Sequence, residues 1–331
     1  MQSHPTAPTE IQPVFIVHSP ITYSLALTVM AVHQLDHAWL LGARGMQGAR
    51  VNAAPPHDGG WSIEGCETVL KALLTGLPDN KPIALYLPHS LTLAAKLLAL
   101  SPRVVAIYYL EEGYTATDSR LINHPVWFAQ VDAGALLGRL AHTQILDALA
   151  LDPDTVQRIN QLPSYVFDGL TPKYAGAIAC SIDAFPGLSH VHRVMPLGPS
   201  ARLPAHLIAF PSLMNRYPTT TGVADQQMIQ RNGEALHAIA VALLQAATPD
   251  TPVVIKLHPR DAVELPDALL ERFAELGAQY EPYCTEHGVD PCLEPALVNF
   301  SHYTVFGRSA LQKYVTLFQG AQRLSSPPLP F

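Results

Sequence analysis

In this 331-residue chain a short set of polar residues follows closely behind apolar runs: Ser19, His89, Glu111, Glu112, Ser212, His258 and Ser309. Their types suggest one kind of chemistry. A carboxylate at the end of a strand is placed to act as a general base on a hydroxyl. An imidazole can donate to a phosphate oxygen or protonate a leaving group. A serine that opens a helix sits among free amide groups and a partial positive charge, where phosphates bind.

Each of these residues also has a plainer reading. Glu111 and Glu112 follow Val104–Leu110 (VVAIYYL), and Gly113 then lets the backbone turn sharply. They read equally as solvated loop acids, one of them capping the next helix. His258-Pro259 closes the run Val253–Leu257 (VVIKL), and the proline stiffens the turn. The chain holds fifteen histidines, and His-Pro recurs at His4-Pro5 and His124-Pro125, so only the preceding strand singles out His258. Ser309 follows Gly307-Arg308; Arg308 either adds charge to a phosphate or is solvated, and a serine N-cap is common. Asp152-Pro153-Asp154 matches the D-x-D pattern of metal-dependent sugar transferases, but no strand precedes it. Asp152 or Asp154 reads there as the cap of a helix near Val156. Gly59-Gly60 has neither a preceding strand nor the GxGxxG spacing of a phosphate loop.

The elements that must hold these residues follow an alternating pattern. Val14–Val17 (VFIV) is expected as a strand, then the loop His18-Ser19-Pro20, then a helix from about Ile21 to Leu35. Ile83–Leu87 is a strand, Pro88-His89-Ser90 its loop and Leu91–Leu100 a helix. Val104–Leu110 is a third strand. Residues 131–162 read as helical, and Ala177–Ile182 as a strand. Met195–Pro204 is rich in Pro, Gly and Ser and reads as a linker. The pattern then restarts: a strand at His206–Phe210, a helix over 225–246, a strand at Val253–Leu257, a helix over 265–276, a short strand at 304–306 and a last helix from Ser309. Short continuous apolar strands between helices imply parallel sheets covered on both faces, whose ligands bind beyond the carboxyl ends of the strands. The expected fold class is α/β with two doubly wound, Rossmann-like domains, at 14–200 and 205–324, after a disordered tail at 1–13. Two facing halves would bring the polar residues to one cleft.

Composition narrows the function classes. Apolar residues make up 48% and charged residues 14%, which suits buried cores rather than disorder. The formal charge is −7 with no basic run, so a nucleic-acid partner is not expected. The four cysteines show no zinc spacing, which suits reduced thiols of a cytosolic protein. Met1–Pro13 has no basic region and no apolar core, so it does not read as a signal peptide. No apolar stretch reaches the roughly 18 residues of a membrane span. A cytoplasmic location follows as an expectation, with at most peripheral contact at the inner membrane.

Glu-Glu-Gly after a strand of the first half, His-Pro after a strand of the second and a serine at a later strand-to-helix junction come in a telling order. The layout resembles the bacterial sialyltransferases, especially the polysialyltransferase and lipooligosaccharide sialyltransferase groups. Their signatures are a D/E-D/E-G motif, an HP motif and a Ser/Thr motif. The resemblance covers most of the chain in layout and about ten residues in identity. It implies a GT-B fold and an inverting, metal-independent transfer of a sialic-acid-like (nonulosonic) sugar from a CMP-activated donor. The acceptor hydroxyl would belong to a glycan, a lipid-linked glycan or a protein. By this resemblance Glu111 deprotonates the acceptor, with Glu112 as the fallback. His258, with Pro259, holds the CMP phosphate and assists its departure. Ser309 binds the same phosphate beside Arg308 and Ser212. Glu294 holds the ribose hydroxyls. Ser19, His89 and Gly113 line the acceptor side. Arg308-Ser309 departs from the two adjacent hydroxyl residues often found in the family, which leaves the sugar open. No cofactor and no metal are expected, because a leaving nucleoside monophosphate develops less charge than a diphosphate. Kdo transferases and teichoic-acid glycerophosphotransferases fit the same pattern as alternatives. A nucleotide-sugar epimerase and a non-catalytic nucleotide-binding protein rank lower.

Overall fold

The computed structural model describes residues 11–43, 46, 48–52, 60–78, 81–127, 130–196, 198, 203–210, 226–246, 251–257, 265–292, 299–306, 310–319 and 324–325. The chain divides into two compact units, Met1–Leu197 and Gly198–Phe331.

The first unit alternates strand and helix: β1 (Gln12–Val17), α1 (Pro20–Val32), β2 (Trp39–Gly42), α2 (Ile63–Leu74), β3 (Ile83–Leu87), α3 (Leu93–Leu100) and β4 (Val104–Leu110). Then come β5 (Pro125–Val126), α4 (Ala133–His142), α5 (Ile145–Ala148), α6 (Pro153–Gln157), β6 (Ser164–Tyr165), β7 (Tyr174–Ala179) and β8 (Val191–Arg193). Six strands form one parallel sheet in the order β2-β1-β3-β4-β7-β8, while β5 and β6 pair antiparallel apart from it. One face packs Ile16, Leu85 and Tyr109 against Leu70, Leu97 and Leu136 of the helices. Burying each leucine of this kind contributes about 1.5–3 kcal/mol. On β1, β3 and β4 the rings of Phe15, Tyr86 and Tyr108 stack in a ladder, with centroids 4.2 and 4.6 Å apart.

Helix starts follow local chemistry. Ser62, Thr92 and Asp132 each accept a backbone N–H two or three residues into the helix they precede. Asp152 does the same, from the N–H groups of Asp154 and Thr155, so the first acid of the D-x-D triplet is a helix cap. The expected single helical stretch at 131–162 is three short helices. Gln144 and Ala150 adopt left-handed φ of 60° and 51° between them, and Pro153 opens the third.

The second unit contains β9 (Leu203–Ala209), α7 (Gln226–Ala246), β10 (Val253–Lys256), α8 (Asp267–Leu276), β11 (Ala278–Gln279), α9 (Tyr280–Glu286), β12 (Phe300–Val305), α10 (Ala310–Gln319) and β13 (Leu324–Ser325). Its sheet is also parallel, in the order β11-β10-β9-β12-β13. Successive residues of β9 point to opposite faces. Leu207 joins Tyr280, Tyr283 and Val315 on one face, and Ile208 joins Leu236, Leu269 and Phe273 on the other. The second sheet is therefore covered by helices on both sides, the doubly wound arrangement.

Counted within each unit, the strand orders are 2-1-3-4-5-6 and 3-2-1-4-5. Both are Rossmann-like, and each reverses direction once, between β1 and β3 in the first sheet and between β9 and β12 in the second. No helix among the described residues is long and apolar enough to cross a membrane.

Candidate functional site

In a doubly wound sheet the crevice opens at the reversal of strand order, because the connections on either side leave toward opposite faces. In the first unit that point lies between the carboxyl ends of β1 and β3. The residues just beyond those ends include His18 and His89, and Glu112 follows the neighbouring β4. Their side chains meet. His18 Nε2 lies 2.5 Å from Glu112 Oε1, and His89 Nε2 lies 3.8 Å from Glu112 Oε2. The two imidazole rings are tilted, with centroids 5.1 Å apart. The side chains of His18 and His89 are 3% and 5% exposed, whereas that of Glu112 is 17% exposed, so solvent reaches the cluster at its carboxylate. Trp61 stands beside His89 at 6.2 Å between ring centroids and is part-exposed.

Each member is held by the turn that carries it. The N–H groups of His18 and Ser19 both donate to Thr22 Oγ1 at 3.1 Å, and Thr22 Oγ1 donates to the Ser19 carbonyl at 2.8 Å. Ser19 is the N-cap of α1, with Pro20 at the first helical position and its own hydroxyl 3.2 Å from Thr22 Oγ1. Ser19 thus shapes the turn that presents His18. The β3–α3 loop is pinned on the other side. Ser90 N–H donates to the Val166 carbonyl at 2.9 Å, Ser90 Oγ pairs with Tyr109 Oη at 2.9 Å, and Asp168 N–H donates to that same Oη at 2.9 Å. Burial pushes the Tyr109 phenol up to about 12, so it stays a neutral partner. Leu91 N–H donates to His89 Nδ1 at 3.3 Å, which leaves Nε2 facing Glu112. Gly113 adopts φ +49°, in the region that glycine enters without a Cβ clash, and turns the chain just after Glu112.

The neighbouring acid has another environment. Glu111 is fully buried, and four donors surround its carboxylate. Oε2 accepts Cys180 N–H at 2.7 Å, Ser181 N–H at 2.8 Å and the Cys180 thiol at 3.3 Å, while Oε1 accepts the Ser181 hydroxyl. Glu111 therefore ties the end of β4 to the end of β7. Consecutive residues of an extended chain point opposite ways, so Glu111 is turned toward β7 and Glu112 toward His18 and His89.

Of the sequence-stated candidates, the first unit brings His89 and Glu112 together, with Gly113 directly behind; Ser19 supports the turn, and Glu111 lies apart in the β4–β7 clamp. Ser212, His258, Pro259, Glu294, Arg308 and Ser309 lie outside the described residues. The strands preceding Ser212, His258 and Ser309 are β9, β10 and β12, which are neighbours in the second sheet. His18 is the member that sequence reasoning passed over. Its signal was present, since it follows Val14–Val17 with no residue between. No family model matches the chain, and no curated protein matches it either.

Proposed function

We propose that the chain is an inverting, metal-independent glycosyltransferase of the GT-B type that moves a sialic-acid-like sugar from a CMP donor to a hydroxyl of a glycan, lipid-linked glycan or protein acceptor. The observation that carries this reading is the placement of Glu112: a carboxylate that β4 brings beside His18 and His89, which follow the two strands at the reversal point of a Rossmann-like sheet, with its side chain partly open to solvent. Glu112 rather than Glu111 is assigned as the base, because the Glu111 oxygens already take four donors in a buried site. His18 is a positioning residue. It holds Oε1, so the acceptor proton goes to Oε2, which faces His89 across a gap of 3.8 Å. The acceptor oxygen then forms the bond to the anomeric carbon, and the bond from that carbon to the CMP phosphate oxygen breaks.

The second half of the reading rests on sequence position. Ser212, His258 and Ser309 follow three strands that lie side by side in the order β10-β9-β12. Placed at those carboxyl ends, a histidine and a helix-opening serine would receive the departing phosphate. A thermal-shift screen of CMP, UMP, UDP and CDP tests the donor class, since a ligand that binds only the folded chain raises its stability by RT ln(1 + [L]/Kd). A shift with CMP alone is expected; a shift with UDP alone would favour an epimerase. Turnover trials with CMP-Neu5Ac, CMP-Kdo and CDP-glycerol then separate sialyl transfer from its nearest alternatives.

A further inference from the structure

We propose that His18, His89 and Glu112 form a binding site for one divalent transition-metal ion. The ligand atoms of the three residues all lie within 4.8 Å of one another. With donors about 2.1 Å from a tetrahedral ion, ligand atoms stand about 3.4 Å apart. Both imidazoles face the Glu112 carboxylate, His18 Nε2 at 2.5 Å from Oε1 and His89 Nε2 at 3.8 Å from Oε2. Admitting an ion between them requires Glu112 to withdraw from His18 by roughly 1 Å, a side-chain adjustment that leaves the strands in place. The three ligands leave adjacent strands of one sheet, β1, β3 and β4, so the cluster is fixed by strand pairing as well as by loops. Two imidazoles and one carboxylate suit zinc, cobalt, nickel or ferrous iron; magnesium and calcium prefer sets of oxygens. The exposed flank of Glu112 leaves room for a water or a ligand at the remaining position. His89 pays with its long bond from Leu91, at 3.3 Å, because a ring bound through Nε2 carries its proton on Nδ1.

Binding by itself does not depend on the transfer reaction. Its consequence rests on the proposed function: an ion on Glu112 occupies the base, so it acts as an inhibitor of transfer and not as a cofactor.

The test uses the full chain, stripped with a chelator and titrated with Co²⁺ and then Zn²⁺ in the absence of nucleotide and sugar. One Co²⁺ per chain is expected, with visible d–d bands, no thiolate charge-transfer band and displacement by Zn²⁺. His18→Ala and His89→Ala should each weaken binding by about a hundredfold or more, while His302→Ala, in the second unit, should leave it unchanged. X-ray absorption of the wild-type zinc form needs no variant and should show imidazole scattering without sulfur. Absence of Co²⁺ binding, sulfur in the ligand shell, or undiminished binding by correctly folded His18→Ala and His89→Ala proteins overturns the site. Tight binding at the site without inhibition of transfer leaves the site standing and removes Glu112 from its proposed role as base.

Discussion

The sharpest test separates two acids that adjoin in sequence. Replacing Glu111 by Gln keeps its shape. The amide oxygen can still accept from Cys180 N–H and Ser181 N–H, and the amide NH₂ can donate to Ser181 Oγ once that hydroxyl rotates. What disappears is the charge. Hydrogen bonds to a charged group contribute about 1.5–3 kcal/mol and neutral ones about 0.5–1.5, so two backbone bonds lose about 2 kcal/mol together. In a unit spanning Met1–Leu197, each kcal/mol moves Tm by about 2–4 °C. Glu111→Gln should therefore melt about 4–8 °C early. Glu111→Ala strands the buried Ser181 N–H and the part-buried Cys180 N–H and should cost about 3 kcal/mol or more. Glu112→Gln should behave in the opposite way. Its carboxylate is at the solvent edge of the cluster, so Tm should move less than in Glu111→Gln, while the loss of a general base should cut kcat by about 10²–10⁴. The assays are differential scanning calorimetry on all three variants and CMP release with the matching donor and acceptor. If Glu111→Gln keeps its Tm but loses kcat, and Glu112→Gln keeps its kcat, the assignment of base and clamp is reversed.

Three further outcomes are expected. Gly113→Ala places a Cβ on a residue with φ +49° and should cost about 1–2 kcal/mol; because the turn carries Glu112, transfer by the folded enzyme should also slow, and an unchanged kcat would detach the turn from the site. Lys96→Met removes a buried ammonium that donates to the Ile159 and Leu162 carbonyls and to Ser164 Oγ at 3.0, 2.9 and 2.8 Å, and should lower stability in urea by about 2–4 kcal/mol; a shift below 0.5 kcal/mol would show that these acceptors find water instead. In the second unit, burial first and the neighbouring His302 second hold His206 below the ordinary histidine range. Its unfolded form then takes up a proton that the folded form resists, so stability should fall as the pH drops below about 6.5. His206→Asn should flatten that slope in urea melts across pH, and a parallel slope would assign the acid sensitivity to other groups.

The strands that were legible in the sequence are those that read as long apolar words: VFIV, IALYL, VVAIYYL and VVIKL. β2 was passed over because WLLG has only four residues, too few to show a period. The first half of β12, Phe-Ser-His, sets two polar residues side by side where the pairing with β9 shifts register, so only its last residues read as a strand. β7 spans Tyr174–Ala179, so it begins three residues before the expected Ala177 and ends three residues short of the expected Ile182. For the site, strand ends singled out Glu112 and His89, whose side chains lie 3.8 Å apart. Choosing between Glu111 and Glu112 was beyond the sequence for a physical reason. The choice depends on the backbone N–H groups of Cys180 and Ser181, about seventy residues away, and N–H groups carry no sequence signal.

Strand order adds a constraint that motif spacing lacks. In the first sheet the reversal falls between β1 and β3, and His18 and His89, which follow those two strands, are the ones that flank the partly buried Glu112 carboxylate. The same reasoning can be carried to the second sheet, where the reversal lies between β9 and β12. The positions just beyond those strands hold Ser212 and Ser309, while His258 follows β10, one strand removed. If the proposed function holds and the crevice rule governs both units, the two serines, which follow the strands at the reversal, are expected to matter most for holding the phosphate. Ser212→Ala and Ser309→Ala should then weaken CMP binding more than they slow the bond-breaking step. His258→Asn should do the reverse, with kcat falling further than affinity, because only the imidazole can give a proton to the departing phosphate. A His258 variant that lost affinity alone would mean that the histidine holds the nucleotide and takes no part in its departure.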